Sequence, residues 1–127
     1  MAKKKSAFDR LPTKAVSVEQ LNTQGLQLLQ RGQFEQGALL LQQSLGQNPR
    51  QPEVAYNLGY ALQQLGILDQ AIQAYSQAIS LAPQDVDALM ARGHVLVTLK
   101  RIAEAEPDFA KAVKLAPRNV DAWNNFG

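Results

Sequence analysis

Cysteine is absent from this 127-residue chain, so disulfides, thiolate metal sites and cysteine nucleophiles are excluded. Histidine is almost absent: His94 stands alone, with no second histidine to complete a metal site or a catalytic pair. Neither GxGxxG nor GxxxxGKS/T occurs, so no glycine-rich loop is available to cradle a phosphate. The densest acidic group, Glu104, Glu106 and Asp108, alternates along a helix-prone stretch, which sends neighbouring carboxylates to different faces. No catalytic residue, metal ligand or cofactor site is therefore expected, and the chain reads as a non-enzyme. Long apolar runs are missing too. The longest, Ala38 to Leu41, falls far short of the roughly 20 residues that span a bilayer. Lack of cysteine and of a membrane segment fits a cytoplasmic protein.

Aromatic residues make up only 6% of the chain against 46% hydrophobic residues in total, so apolar surface is expected to be buried by alanine and leucine between helices. Charge is uneven. Residues 1–17 hold Lys3, Lys4, Lys5, Arg10 and Lys14 against Asp9, a charge of +4; with +2 for the whole chain, residues 18–127 carry −2. The basic start lacks the apolar stretch that a signal peptide places next, and it has too few periodic apolar residues for a packed helix. Residues 1–17 are expected to be a basic, disordered tail.

What the sequence does contain is a period. Gly25, Gly59, Gly93 and Gly127 are spaced by 34 residues, and so are Pro49, Pro83 and Pro117. With eight glycines and six prolines in all, two such columns at one period are very improbable by chance. Further columns agree: Leu28, Leu62 and Leu96; Phe34, Leu68 and Ile102; Gly37, Ala71 and Ala105; Leu41, Tyr75 and Phe109; Ser44, Ala78 and Ala112. Within the middle unit, Ala55, Leu58, Gly59 and Leu62 share one helical stripe. Gly66 interrupts that helix, Asp69 is placed to cap a second, and Ile72, Tyr75, Ala78 and Ile79 carry the second to Pro83. Small residues at Gly59, Ala71 and Ala78 fall where the two helices would cross, so close backbone approach is expected there.

The stretch Ala-Tyr-Asn-Leu-Gly-Tyr-Ala-Leu at 55–62, then Asp-Gln-Ala-Ile-Gln-Ala-Tyr-Ser-Gln-Ala-Ile at 69–79 and Pro83, resembles the tetratricopeptide-repeat pattern W-x-x-L-G, A, Y/F, A and P. The resemblance covers 18–51, 52–85 and 86–119, and 120–127 restates the opening of a fourth repeat with Trp123 in the tryptophan column. It implies an all-α fold, a right-handed antiparallel α-solenoid of helix-turn-helix units. Gln24 and Gly37 make the first repeat the most polar, as suits an end of the stack. Pro107 is expected to delay or kink the second helix of the third repeat. Arg92, in the column of Gln24 and Leu58, is expected to pack its stem and send its guanidinium to water.

In such families the first helices line a concave groove that binds a protein or peptide. By the same offsets the groove here would take Asn22, Leu26 and Leu29 from the first repeat and Tyr56, Asn57, Tyr60, Gln63 and Gln64 from the second. Met90, His94 and Val97 would follow from the third, with Asn124 and Asn125 continuing the surface. Tyr56, Tyr60 and Gln63 also recur at i, i+4 and i+7, a stripe beside the packing stripe. The competing explanation is that the tyrosines merely cover the next repeat.

Receptors for chaperone tails in this family grip a terminal carboxylate with lysine, arginine and asparagine. The matching positions here are Asn22, Leu26, Asn57, Asp87 and Ala91, of which Asn57 alone agrees. Asn57 and Asn125 share a column, as in the asparagine ladder of repeat-bearing glycosyltransferases, but Thr23 and Ala91 break it. The reading is thus a protein-protein interaction scaffold. An alternative makes the chain a fragment, cut in its fourth repeat, that recruits substrates for a downstream glycosyltransferase or sulfotransferase. An RNA-binding helical repeat fits less well, because those commonly show a 35-residue period and basic repeats.

Overall fold

The computed structural model describes residues 16–117. The basic segment before Val16 and the partial fourth repeat with Trp123, Asn124, Asn125 and Phe126 lie outside the described residues. Six helices, with no strand among the described residues, follow in order: α1 Val18–Gln30, α2 Phe34–Gln47, α3 Pro52–Gln64, α4 Leu68–Leu81, α5 Val86–Thr98 and α6 Ile102–Leu115. The first helix of each pair starts at Val18, Pro52 or Val86 and the second at Phe34, Leu68 or Ile102, both 34 residues apart.

Start signals differ between first and second helices. Ser17 and Gln20 form a capping box at α1: the Gln20 amide donates to Ser17 Oγ at 3.1 Å, and the Ser17 amide donates to Gln20 Oε1 at 3.0 Å. Pro52 opens α3, where its missing N–H is harmless, and the Asp85 carboxylate accepts from the Ala88 amide at the start of α5. The second helices have no side-chain cap. Asp69 therefore does not cap α4 as expected. Ile67 holds the cap position, and Asp69 sits in the first turn, where its charge meets the positive end of the helix.

One tight turn supplies each second helix instead. The amides of Gln33, Ile67 and Arg101 donate back to the carbonyls of Leu28, Leu62 and Leu96 at 2.8, 2.9 and 2.8 Å, the six-to-one bond of a helix terminated by a left-handed residue. Gly32 and Gly66 supply that residue with φ of 78° and 79°; in the third pair Lys100 takes it at φ 63°. A lysine Cβ crowds the backbone there, a strain that glycine avoids.

The pairs lock through the glycine column. A Cβ placed on Gly59 would lie 2.6 Å from the Tyr75 ring, one on Gly25 would lie 2.8 Å from Leu41, and one on Gly93 would lie 2.7 Å from Phe109. A large side chain of each second helix thus lies flat on the bare backbone of the first. Tyr75, Leu41 and Phe109 are buried accordingly, in a core completed by Leu58, Leu62, Leu89 and Val95.

Two polar clusters interrupt this apolar pattern. Arg92 donates from Nε and Nη2 to the buried Asp108 carboxylate at 2.8 and 2.6 Å, and from Nη1 to Ser76 Oγ at 3.2 Å. Its guanidinium is therefore held between α4, α5 and α6 and not sent to water, because a carboxylate buried beside it needs the paired charge. At the other end, Ser44 Oγ donates to Asn22 Oδ1 at 2.5 Å, while Asn22 Nδ2 donates to Gln51 Oε1 at 2.9 Å. Of the delay or kink expected at Pro107, the delay is absent. The proline stands inside α6, and the helix begins at Ile102 in register with Phe34 and Leu68.

Gly59→Ala should lower stability by about 1–3 kcal/mol by forcing the Tyr75 ring out of its seat. Chemical denaturation of the variant tests this; an unchanged midpoint would sink the account of the glycine column. The opposite sign is expected at the third turn. Lys100→Gly should raise stability by about 0.5–1 kcal/mol, read as a melting temperature several degrees higher.

Candidate functional site

The first helices α1, α3 and α5 contact one another in succession, whereas α2, α4 and α6 do not. The first helices therefore form one contiguous face of the stack. A cleft of about 400 Å³ opens between α1 and α3, lined by Leu26, Leu29, Gln30, Tyr56, Asn57 and Tyr60. Five residues expected in the groove, Leu26, Leu29, Tyr56, Asn57 and Tyr60, therefore meet around one space. Gln30 was not among the expected residues, although it stands 34 positions before Gln64, which was, and follows Leu26 by one helical turn.

The aromatic lining is held from behind. Tyr60, 40% exposed, meets the Phe34 ring edge-on at 5.9 Å. Tyr56, half-buried, lies 5.6 Å from the Tyr75 ring. Tyr56 also packs against the core on both sides, so it covers the neighbouring repeat as well as lining the cleft. Leu26 is 41% exposed, an apolar side chain left partly open to solvent. The Asn57 carboxamide makes no hydrogen bond to a described residue, and neither does that of Gln30 or Gln64.

Other expected residues lie differently. Met90 is buried at 7% exposure, in one core cluster with Leu89, Leu96, Phe109 and Ala112. Asn22 is engaged with Ser44 and Gln51. Gln63 accepts the Tyr75 hydroxyl at 2.7 Å through its carboxamide oxygen. His94 is half-buried, its ring edge-on to Phe109 at 5.7 Å, and Val97 is exposed. Among the described residues no group of three or more His, Cys, Asp and Glu could hold a metal ion, and no helix is long and apolar enough to cross a membrane.

Residues 22–86 match one model of the tetratricopeptide repeat, and residues 86–119 match a second. The chain belongs to the tetratricopeptide-repeat family. Solved structures of tetratricopeptide domains superpose closely on it. The Arabidopsis OM64 domain aligns with TM-score 0.81 at 24% identity, over 86% of this chain and 90% of that one. The first such domain of Spaghetti (RPAP3), a structure with the HSP90 peptide SRMEEVD bound, aligns with TM-score 0.82 at 21% identity, over 87% of each chain. MamA of AMB-1 reaches 30% identity and TM-score 0.75 over 82% of this chain and 62% of its own length. No curated protein sequence matches. The likeness to OM64 and Spaghetti is one of fold.

Two phenols in and behind the tetratricopeptide groove are perturbed. Burial pushes the Tyr75 phenol well above the ordinary value of 10.0, with Tyr56 and Tyr60 adding to it. Burial also raises Tyr56, helped by the nearby carboxylates of Asp87 and Asp85. The fold favours the neutral phenols, so their contribution is complete below the unfolded value and is lost as pH rises toward the folded ones. The denaturation midpoint is therefore expected to fall above about pH 10. Tyr75→Phe, measured over the same alkaline range, should shrink that fall; an identical decline would assign it elsewhere.

Proposed function

We propose that this chain is a non-catalytic interaction module that holds an extended protein segment in the groove formed by α1, α3 and α5. The observation that carries the reading is the cleft between α1 and α3. It combines exposed Leu26 and Tyr60, which gain from losing water, with the Asn57 and Gln30 carboxamides, which have donors and acceptors to offer a peptide backbone. Rings fixed by Phe34 and Tyr75 lose little freedom on binding, which makes them suitable anchors. Helices, not loops, position the whole lining, so recognition needs little rearrangement of the scaffold.

Peptide-bound relatives support the class of partner. The Spaghetti domain is seen with SRMEEVD, and the second tetratricopeptide domain of human RPAP3, aligned with TM-score 0.80 at 21% identity, with the HSP70 peptide SGPTIEEVD. By the family's offsets, Asn57 is the one position here that keeps the carboxylate-gripping pattern of chaperone-tail receptors. A protein segment, but one of different chemistry, follows.

Substitution of Tyr60 and Asn57 together by alanine should weaken a captured partner by about 1–2 kcal/mol while leaving helicity unchanged. A control pair on the outer face, Gln73→Ala with Lys111→Ala, should leave affinity alone. Titration calorimetry on both variants separates the faces. Unaltered affinity in the groove variant, or a loss confined to the outer one, would sink the reading.

A further inference from the structure

The charged residues of α1, α3 and the start of α5 are acidic. Helices α1 and α3 contain no lysine or arginine, and the only such residue in α5, Arg92, is engaged by Asp108 and Ser76. Against that, Glu53 precedes Asn57 by one turn of α3, on the same stripe. Asp85 and Asp87, at the start of α5, lie close enough to the Tyr56 phenol to raise its pKa. None of these three carboxylates is in an ion pair among the described residues; Asp85 accepts only the Ala88 amide. Arg31 and Arg50, in the flanking turns, form no ion pair with them. Helix starts account for acidic residues at Glu53 and Asp87 individually, since each favours the positive end of its helix. That local benefit does not cancel the field which three uncompensated carboxylates project over an apolar cleft.

We propose that the groove selects a basic segment of a partner protein, one in which lysine or arginine alternates with apolar side chains, and disfavours acidic tails. The inference rests on the groove reading above and names the chemistry of its occupant. Apolar residues of the segment cover Leu26 and Tyr60, while its cations lie along the edge formed by Glu53, Asp85 and Asp87. A second copy of the repeats is a poorer fit, because residues 18–127 carry a net charge of −2 and would bring like charge to the groove.

The test uses the full chain and two labelled synthetic peptides about a dozen residues long, long enough to cross three stacked helices. One alternates lysine with leucine and tyrosine, and the other replaces every lysine by glutamate. Fluorescence anisotropy should show the basic peptide binding at least about tenfold more tightly at low salt. Raising salt from about 0.01 to about 1 M, which shortens the screening length from roughly 30 to roughly 3 Å, should erase most of the difference. E53Q combined with D87N should weaken the basic peptide about threefold or more and leave the acidic one unchanged or improved.

Tyr60→Ala reads the groove independently of charge. Preference for the acidic peptide, lost in Tyr60→Ala, would overturn the basic partner and keep the groove. Binding indifferent to Tyr60→Ala, or no binding of either peptide, would overturn the groove and this inference with it. Binding of the basic peptide only when Lys3, Lys4 and Lys5 are changed to glutamine would give the groove to the chain's own amino-terminal segment and overturn a partner as its occupant. Concentration-dependent dimers abolished by Tyr60→Ala would give it to a second copy.

Discussion

Everything in this fold depends on a contact repeated three times, in which a large side chain of a second helix rests on a glycine of the first. Leu41 on Gly25, Tyr75 on Gly59 and Phe109 on Gly93 leave no room for a Cβ. The contact fixes how near the two helices of a pair approach. Approach in turn fixes which residues of the first helix face the second and which remain on the face that the first helices share. Tyr60, next to Gly59 but outside that seam, keeps 40% exposure and lines the cleft.

Two sets of polar residues then make the pairs unequal. Asn22, Ser44 and Gln51 connect α1, α2 and the start of α3, and Arg92, Asp108 and Ser76 connect α4, α5 and α6. Each set is fully satisfied, with no buried polar side-chain atom among the described residues left without a partner. Such sets contribute less to stability than the apolar residues they replace, but they specify which helix sits against which in a stack of otherwise similar pairs. They also decide what the groove keeps. Asn22 and Arg92, both of the type that could grip a peptide, are withdrawn from it, and the surviving charge beside Tyr56 is acidic.

Much of this was legible along the chain. The 34-residue columns gave helix-turn-helix units, the glycine and proline positions gave the seams and stops, and the stripe of Tyr56 and Tyr60 beside the packing stripe placed both at the cleft. Asp69 misled because a carboxylate near a helix start is favourable in the first turn as well as at the cap. Met90 misled because exposure is not uniform along a column: Asn22, bonded to Ser44, and Tyr56 are half-buried, whereas Met90 lies in the core.

The sequence by itself determined the period, the all-α fold and the family, because hydrophobic spacing and the residues that punctuate helices are local properties of a chain. It also determined that no cysteine or histidine pair exists to do chemistry. Tertiary structure alone decided that Arg92 joins Asp108 instead of water, that Gln63 receives the Tyr75 hydroxyl, and that Leu26, Asn57 and Tyr60 surround one cleft. Those pairings join residues 12 to more than 30 positions apart on different helices. A charge or an amide finds its partner only when packing has brought the helices together, so its role is set by the neighbour that arrives and not by its own place in the repeat.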